Sequence, residues 1–120
     1  MKERRANQDT INADCRHGLP EQAVTLPANA SLSAAARMFH ALGDPDRLRL
    51  LTRLAAGERC VTELAELEGQ KITTVSNRLK LLLDAGLLAR RREAKHMIYR
   101  VADDHVQQLV DNALAHSSEL

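Results

Sequence analysis

Aromatic side chains are almost missing from this chain of 120 residues: Phe39 and Tyr99 stand alone, and there is no Trp. That excludes the rows of stacked rings on which single-stranded nucleic acids are held. Cysteine is nearly absent too. Cys15 and Cys60 are too widely spaced for a disulfide framework, which points to a reduced, cytoplasmic protein. No segment approaches the ~18 apolar residues of a membrane span. Lys2, Arg4 and Arg5 have no apolar stretch after them, so the start does not read as a secretory signal. Lys and Arg are absent from residues 101–120, where four acidic residues leave a net charge of −4. Residues 71–100 are the opposite, with eight Lys/Arg against Asp84 and Glu93, net +6. The whole-chain charge of +1 hides this asymmetry.

What is present is mostly Leu and Ala in helical spacing. Residues 1–30 are polar, hold Pro20 and Pro27, and read as a flexible arm. One domain is expected over 31–120. Ser31 is placed to cap a helix to Leu42, with Leu32, Ala35, Ala36 and Phe39 on its inner side. Asp44 caps the next, with Pro45 at its first position and Leu48, Leu51, Leu54 and Ala55 as its stripe. A short helix, Val61–Leu67, stops at Gly69. A longer one runs from Ile72 to Ala85, with Gly86 at its end. The period then changes. Leu87–Arg92 and His96–Val101 read as two strands joined by Glu93-Ala94-Lys95. Asp103 opens a last helix to about Ser117, with Val106, Leu109, Val110, Ala113 and Leu114 as its apolar face. The fold class expected is mainly α with a small β-hairpin: a winged helix-turn-helix.

On the Ile72–Ala85 helix, Val75, Leu79, Leu82 and Leu83 share one face. Thr73, Asn77 and Lys80 point away from it, flanked by Thr74 and Ser76. Hydroxyls, an amide and a cation suit base edges and phosphates in a major groove. Arg90, Arg91, Arg92 and Lys95 crowd the hairpin, where they would meet phosphate or minor groove. An ordinary solvated helix face has the same residue types; the adjacent basic hairpin favours double-stranded DNA. Arg78 lies nearer the buried side and is expected to snorkel or pair internally, and Arg100 to do the same.

The last helix carries Asp103, His105, His116 and Glu119. At 100° per residue His105 and His116 lie roughly 20° apart on one face, yet about 16 Å apart along the axis. A zinc ion takes its ligands at about 2 Å. One helix therefore cannot bring all four to one ion, whereas two antiparallel copies could. Asp103 and His105 of one chain would then meet His116 and Glu119 of the other, which implies a homodimer. Two imidazoles and two carboxylates suit zinc, with cobalt or nickel as alternatives. A second candidate set is weaker: Cys60 and Glu63 on the short helix, with Cys15 and His17 on the arm. Its bland alternative is a buried Cys60 and a free Cys15 thiol. His40 is expected to be structural, and His96 to touch DNA or cap the hairpin.

This order of motifs resembles the ArsR/SmtB family of bacterial metal-sensing repressors. The carriers are Leu42-Gly43-Asp44-Pro45-Asp46-Arg47-Leu48-Arg49-Leu50-Leu51, Cys60-Val61-Thr62-Glu63-Leu64, Thr74-Val75-Ser76-Asn77-Arg78-Leu79 and Lys95-His96-Met97-Ile98-Tyr99, and the resemblance covers about residues 31–119. It implies a winged-helix homodimer that binds operator DNA metal-free and releases it on binding metal. It also implies an inter-subunit zinc site at Asp103, His105, His116 and Glu119. From relatives it implies that Cys15 and His17 join Cys60 in a thiolate-containing site favouring cadmium, lead or zinc. The chain departs from the family at three points. Asn77-Arg78 follow Ser76 where many members have Ser-x-His, Ala94 stands where the hairpin turn often has Gly, and Glu68 replaces a commonly apolar residue and is expected at the surface.

No membrane or small organic substrate is expected as partner. A zinc hydrolase is disfavoured because four protein ligands would fill the shell, leaving no open position; no enzyme activity is expected. Two regulatory rivals remain: a thiol redox switch through Cys15 and Cys60, and a constitutive DNA-binding module with a structural metal.

Overall fold

The computed structural model describes residues 23–120. Among them run helices α1 (Asn29–Leu42), α2 (Pro45–Ala55), α3 (Val61–Glu68), α4 (Ile72–Asp84) and α5 (Asp104–Ser117), with strands β1 (Arg59–Cys60), β2 (Leu88–Glu93) and β3 (His96–Val101). The strands form one antiparallel sheet in the order β1-β3-β2. The expected hairpin is therefore the larger part of a three-stranded sheet, its third strand being Arg59 and Cys60 against Tyr99 and Ile98. Two residues have no periodicity to read, so sequence alone could not find β1. No helix among the described residues is long and apolar enough to cross a membrane.

Local chemistry sets most boundaries. The Asp44 carboxylate accepts a hydrogen bond from the Arg47 N–H at 3.0 Å, and Pro45 supplies a preset φ at the first helical position. α3 ends on Gly69 at φ +64°, a left-handed conformation that glycine adopts without a Cβ penalty. Only Gly69, Gln70 and Lys71 separate α3 from α4, the short turn of a helix-turn-helix. Past α4, Gly86 N–H donates to Leu83 O and Leu87 N–H to Leu82 O, both at 3.0 Å. This Schellman closure turns the chain into the sheet. α1 starts at Asn29, not after Ser31: its N-cap is Ala28, which has no side chain to cap with. The expected 30/31 boundary thus falls inside a helix.

The core is aliphatic. Leu50, Leu51, Leu64, Val75, Leu79, Leu82 and Leu87 are fully buried. They come from α2, α3, α4 and the turn into β2, so one cluster fixes the helix-turn-helix and the root of the hairpin together. α1 departs from expectation. Its inner side is Ala34, Ala35, Met38 and Ala41, while Leu32 and Phe39 are 47% and 62% exposed. Small side chains let α1 lie close to the core, and its bulkiest apolar groups then face outward. α5 docks through Val106 and Val110, with Leu109 half-buried; Ala113 and Leu114 are exposed.

Glu68 also corrects its expectation. Its side chain is only 3% exposed, and it accepts hydrogen bonds from Arg49 Nε (3.0 Å) and Arg53 Nε. Burial raises the pKa of its carboxyl, but the bonds from Arg53 and Arg49 outweigh that and leave it below the ordinary carboxylate value. A lowered folded pKa stabilises the fold above the unfolded-chain value of about 4.3, and the stabilisation is lost as pH falls through the folded value. Glu68→Gln should cost about 1–2 kcal/mol at pH 7, at the low end because both arginines reach water. In urea unfolding the gap between variant and parent should close below about pH 4. Ala94, at the hairpin tip, has φ +56°. Left-handed backbone costs an L-residue about 1–2 kcal/mol. After the added chain entropy of glycine, Ala94→Gly should stabilise by about 0.5–1 kcal/mol, read as a raised urea midpoint.

Candidate nucleic-acid interface and metal ligands

Because α4 commits Val75, Leu79 and Leu82 to the core, its opposite face is set outward. Thr73, Asn77 and Lys80 are exposed; Thr74 and Ser76 are half-buried beside them. Ser76, Asn77 and Lys80 line a cleft of about 420 Å³ whose far wall is Arg90 of β2 and Tyr99 of β3, with Leu83 and Asp84 completing it. The helix and the hairpin thus share one concave surface. Tyr99 had no assigned part in this surface from sequence. The signal was available in the register, which sets it opposite Arg90.

The cations on this side differ in what holds them. Lys80 Nζ lies 3.0 Å from Asp84 Oδ2 in a solvent-exposed pair, of the kind that contributes little on its own. Arg91 is tied to Glu58 at 2.8 Å and approaches Glu93 at 3.6 Å. Strand alternation puts Arg90 and Arg92 on one face and Arg91 on the other. All three arginines and Lys95 are exposed. As expected, Arg78 and Arg100 bind internally. Arg78 Nη2 meets Asp46 Oδ2 at 3.3 Å, and Arg100 turns to the carbonyls of Val101 and Ala102.

Asp103 is the N-cap of α5. Its Oδ1 accepts from the Val106 N–H at 3.1 Å and lies 3.7 Å from His105 Nδ1. The His105 side chain is 93% exposed. His116 is in the last turn of α5, and Glu119 follows in a turn whose N–H donates to His116 O at 3.0 Å. Both are exposed. Among the described residues no three His, Cys, Asp or Glu side chains converge on one point. Asp103 and His105 form one pair and His116 and Glu119 another, as helix pitch requires within a single chain.

Cys60 and Glu63 are brought together, in a capping box at the start of α3. The Glu63 carboxylate accepts from the Cys60 N–H at 3.0 Å, and the Cys60 side chain accepts from the Glu63 N–H. The Cys60 N–H, then the Cys60 side chain, holds the Glu63 carboxyl below its usual pKa. Cys60 is 8% exposed, which weighs against a freely reacting thiol. Cys15 and His17 lie outside the described residues. His40 is exposed; its carbonyl accepts from Gly43 N–H and from Arg47.

Residues 42–91 match the model of a helix-turn-helix domain. The HTH-type transcriptional regulator NmtR of Mycobacterium tuberculosis is 40% identical over 85 residues, 71% of each chain. The chain belongs to the ArsR/SmtB family of transcriptional regulators. A cadmium resistance transcriptional regulatory protein, the CadC homolog of Staphylococcus aureus, is 36% identical over 86 residues, again 71% of each chain. Among solved structures, a homodimeric winged helix-turn-helix DNA-binding domain of Mycobacterium bovis superposes with a TM-score of 0.73 at 34% identity. That match covers 82% of this chain and 92% of the other.

The cap role of Asp103 separates two effects in a variant. In the metal-free protein, Asp103→Ala should cost about 1 kcal/mol, whereas Asp103→Asn, which still caps, should cost a few tenths. Urea unfolding at neutral pH reads the difference.

Proposed function

We propose that this regulator is a metal-responsive repressor: a homodimer that holds operator DNA when metal-free and lets go when zinc binds between its subunits. The observation that carries the reading is the pairing of an outward α4–hairpin cleft with a solvent-exposed ligand set on the neighbouring α5. Thr73, Thr74, Ser76 and Asn77 would read base edges, and Lys80, Arg90, Arg91, Arg92 and Lys95 would hold phosphates or the minor groove. Exposed Leu32, Phe39 and Leu114 supply apolar area for a second copy. The homodimeric state of the similar M. bovis domain supports that assembly.

The residues fit a zinc site in their chemistry. Asp103 keeps Oδ2 free beyond its cap bond, and exposed imidazoles and carboxylates make the mixed nitrogen and oxygen set that zinc accepts. Asp103 and His105 of one protomer with His116 and Glu119 of its partner would hold the ion. When bound, zinc would crosslink the two α5 helices. By linkage, zinc would weaken DNA binding as much as DNA weakens zinc binding, typically by about 1–3 kcal/mol. Cobalt and nickel suit the same donors. Cadmium and lead call for thiolate, and so for Cys15, His17, Cys60 and Glu63; the name of the S. aureus relative is a reason to include cadmium.

The test is a zinc titration into a complex of the protein with duplex DNA enriched by the protein from a random pool. Affinity should fall about 5- to 150-fold. His105→Ala/His116→Ala should bind DNA normally and lose the response. Unchanged affinity with zinc would remove the proposal, and release of DNA by oxidant rather than zinc, lost in Cys60→Ser, would favour the thiol switch. Zinc that raises stability without moving DNA affinity would make the metal structural.

A further inference from the structure

One cation on α4 is kept from the groove. The geometry points to Asp46 as a specificity-determining residue that withholds the Arg78 guanidinium from DNA phosphate, so that α4 reads its site without an additional unselective contact. The inference rests on the DNA-binding reading above.

Arg78 lies between the two faces of α4. It follows Asn77 directly and stands one turn after Thr74, both on the outward side. An arginine side chain is long enough to swing from this flank to a phosphate beside the groove, and such a contact adds affinity for any sequence. The Arg78 side chain is instead 22% exposed, with Nη2 3.3 Å from Asp46 Oδ2 on α2. Asp46 has a second partner besides Arg78. Its other oxygen, Oδ1, accepts from Arg49 Nη2. Arg49 Nε donates to Glu68 Oε1, and Glu68 Oε2 takes Arg53. Residues 46, 49 and 53 fall on one side of α2, at spacings of about one turn. Five charged groups thus form a chain across α2, α3 and α4, with the well-buried Glu68 near one end and Arg78 at the other. Asp46 also sits in the first turn of α2, where the helix dipole favours a negative charge. A lone surface pair such as Lys80–Asp84 would exchange for phosphate; here the acceptor is also bound by Arg49, which Glu68 anchors in turn.

The experiment compares parent, Asp46→Asn, Arg78→Gln and the double variant, on the enriched duplex and on a random-sequence duplex, over a range of salt. Each added phosphate contact steepens the plot of log affinity against log salt by about 0.9. Asp46→Asn should steepen it by about that much on random duplex, raise affinity there, and lower the ratio of specific to non-specific binding. Arg78→Gln alone should leave the slope unchanged, and in the double variant the effect of Asp46→Asn should vanish. The idea is overturned if Arg78→Gln alone flattens the slope by about 1, because Arg78 would then already touch phosphate. It is also overturned if Asp46→Asn acts equally with and without Arg78, which would make it a general charge effect. Parent protein that binds neither duplex removes the DNA-binding reading itself, and this inference with it. Arg78→Gln keeps the stem of the side chain and leaves Asp46 bound to Arg49, so its slope stands as a test even where Asp46→Asn proves too unstable to measure.

Discussion

The burial of seven aliphatic side chains in one cluster is the constraint from which the rest of this structure follows. Tyr99 is the one aromatic ring in the core, and the fully buried cluster is made by leucines and one valine meeting from three helices and one turn. Each contributes about 1.5–3 kcal/mol when fully buried, and no single one can be spared by a neighbour expanding into its place. Because Val75, Leu79 and Leu82 must point inward, the rotation of α4 about its axis is fixed, and Thr73, Asn77 and Lys80 have only one way to face. Leu87 belongs to the same cluster and begins the hairpin, and its carbonyl accepts the Ala102 N–H at 3.1 Å. The relation between helix and hairpin is therefore set by packing rather than by any contact between their polar groups.

Charge is arranged around that core with the same economy. Glu68 is almost fully covered, and it would be costly there unpaired. Two guanidiniums answer it, one from each of two consecutive turns of α2. The arrangement ties the end of α3 to α2 just before the turn into α4. It explains why a carboxylate occupies a position where an apolar residue would pack as well: a carboxylate orients Arg49, and Arg49 orients Asp46.

Signals carried by neighbours in sequence were legible, and signals carried by distant partners were not. Asp44-Pro45 and Asp103 announced their helices because a cap needs only three residues to be recognised. The leucine spacing of α2 and α4 announced the core. Glu68 read as surface because its partners lie 15 and 19 residues away, beyond any local pattern. β1 was too short to show a period. On α1 hydrophobicity points to Leu32 and Phe39, whereas close approach to the core favours small side chains, so that Ala35 faces inward as expected, joined by Ala34 and Ala41, and Phe39 does not. The four candidate ligands on and beside α5 are a third case: pitch alone keeps them from meeting within one chain, and the fold leaves them as two pairs.

On the proposed reading, the position of α5 gives a route by which metal bound at its ends would act on the α4–hairpin cleft. Val106 and Val110 are buried while every residue from Asp111 onward is exposed, so the first half of the helix belongs to the core and the second half stands free of it. A force applied through His116 and Glu119 acts on the free end of a lever whose fixed end packs against α2 and β3. α2 in turn carries Asp46, and β3 carries Tyr99 at the wall of the cleft. Close-packed interiors shift as units rather than deform smoothly. A small rotation of α5 would thus be felt at both walls of the cleft at once: at α4 through the charged chain from α2, and at the hairpin through β3. On the proposed reading, losing the match between those two walls would weaken a DNA contact that needs both.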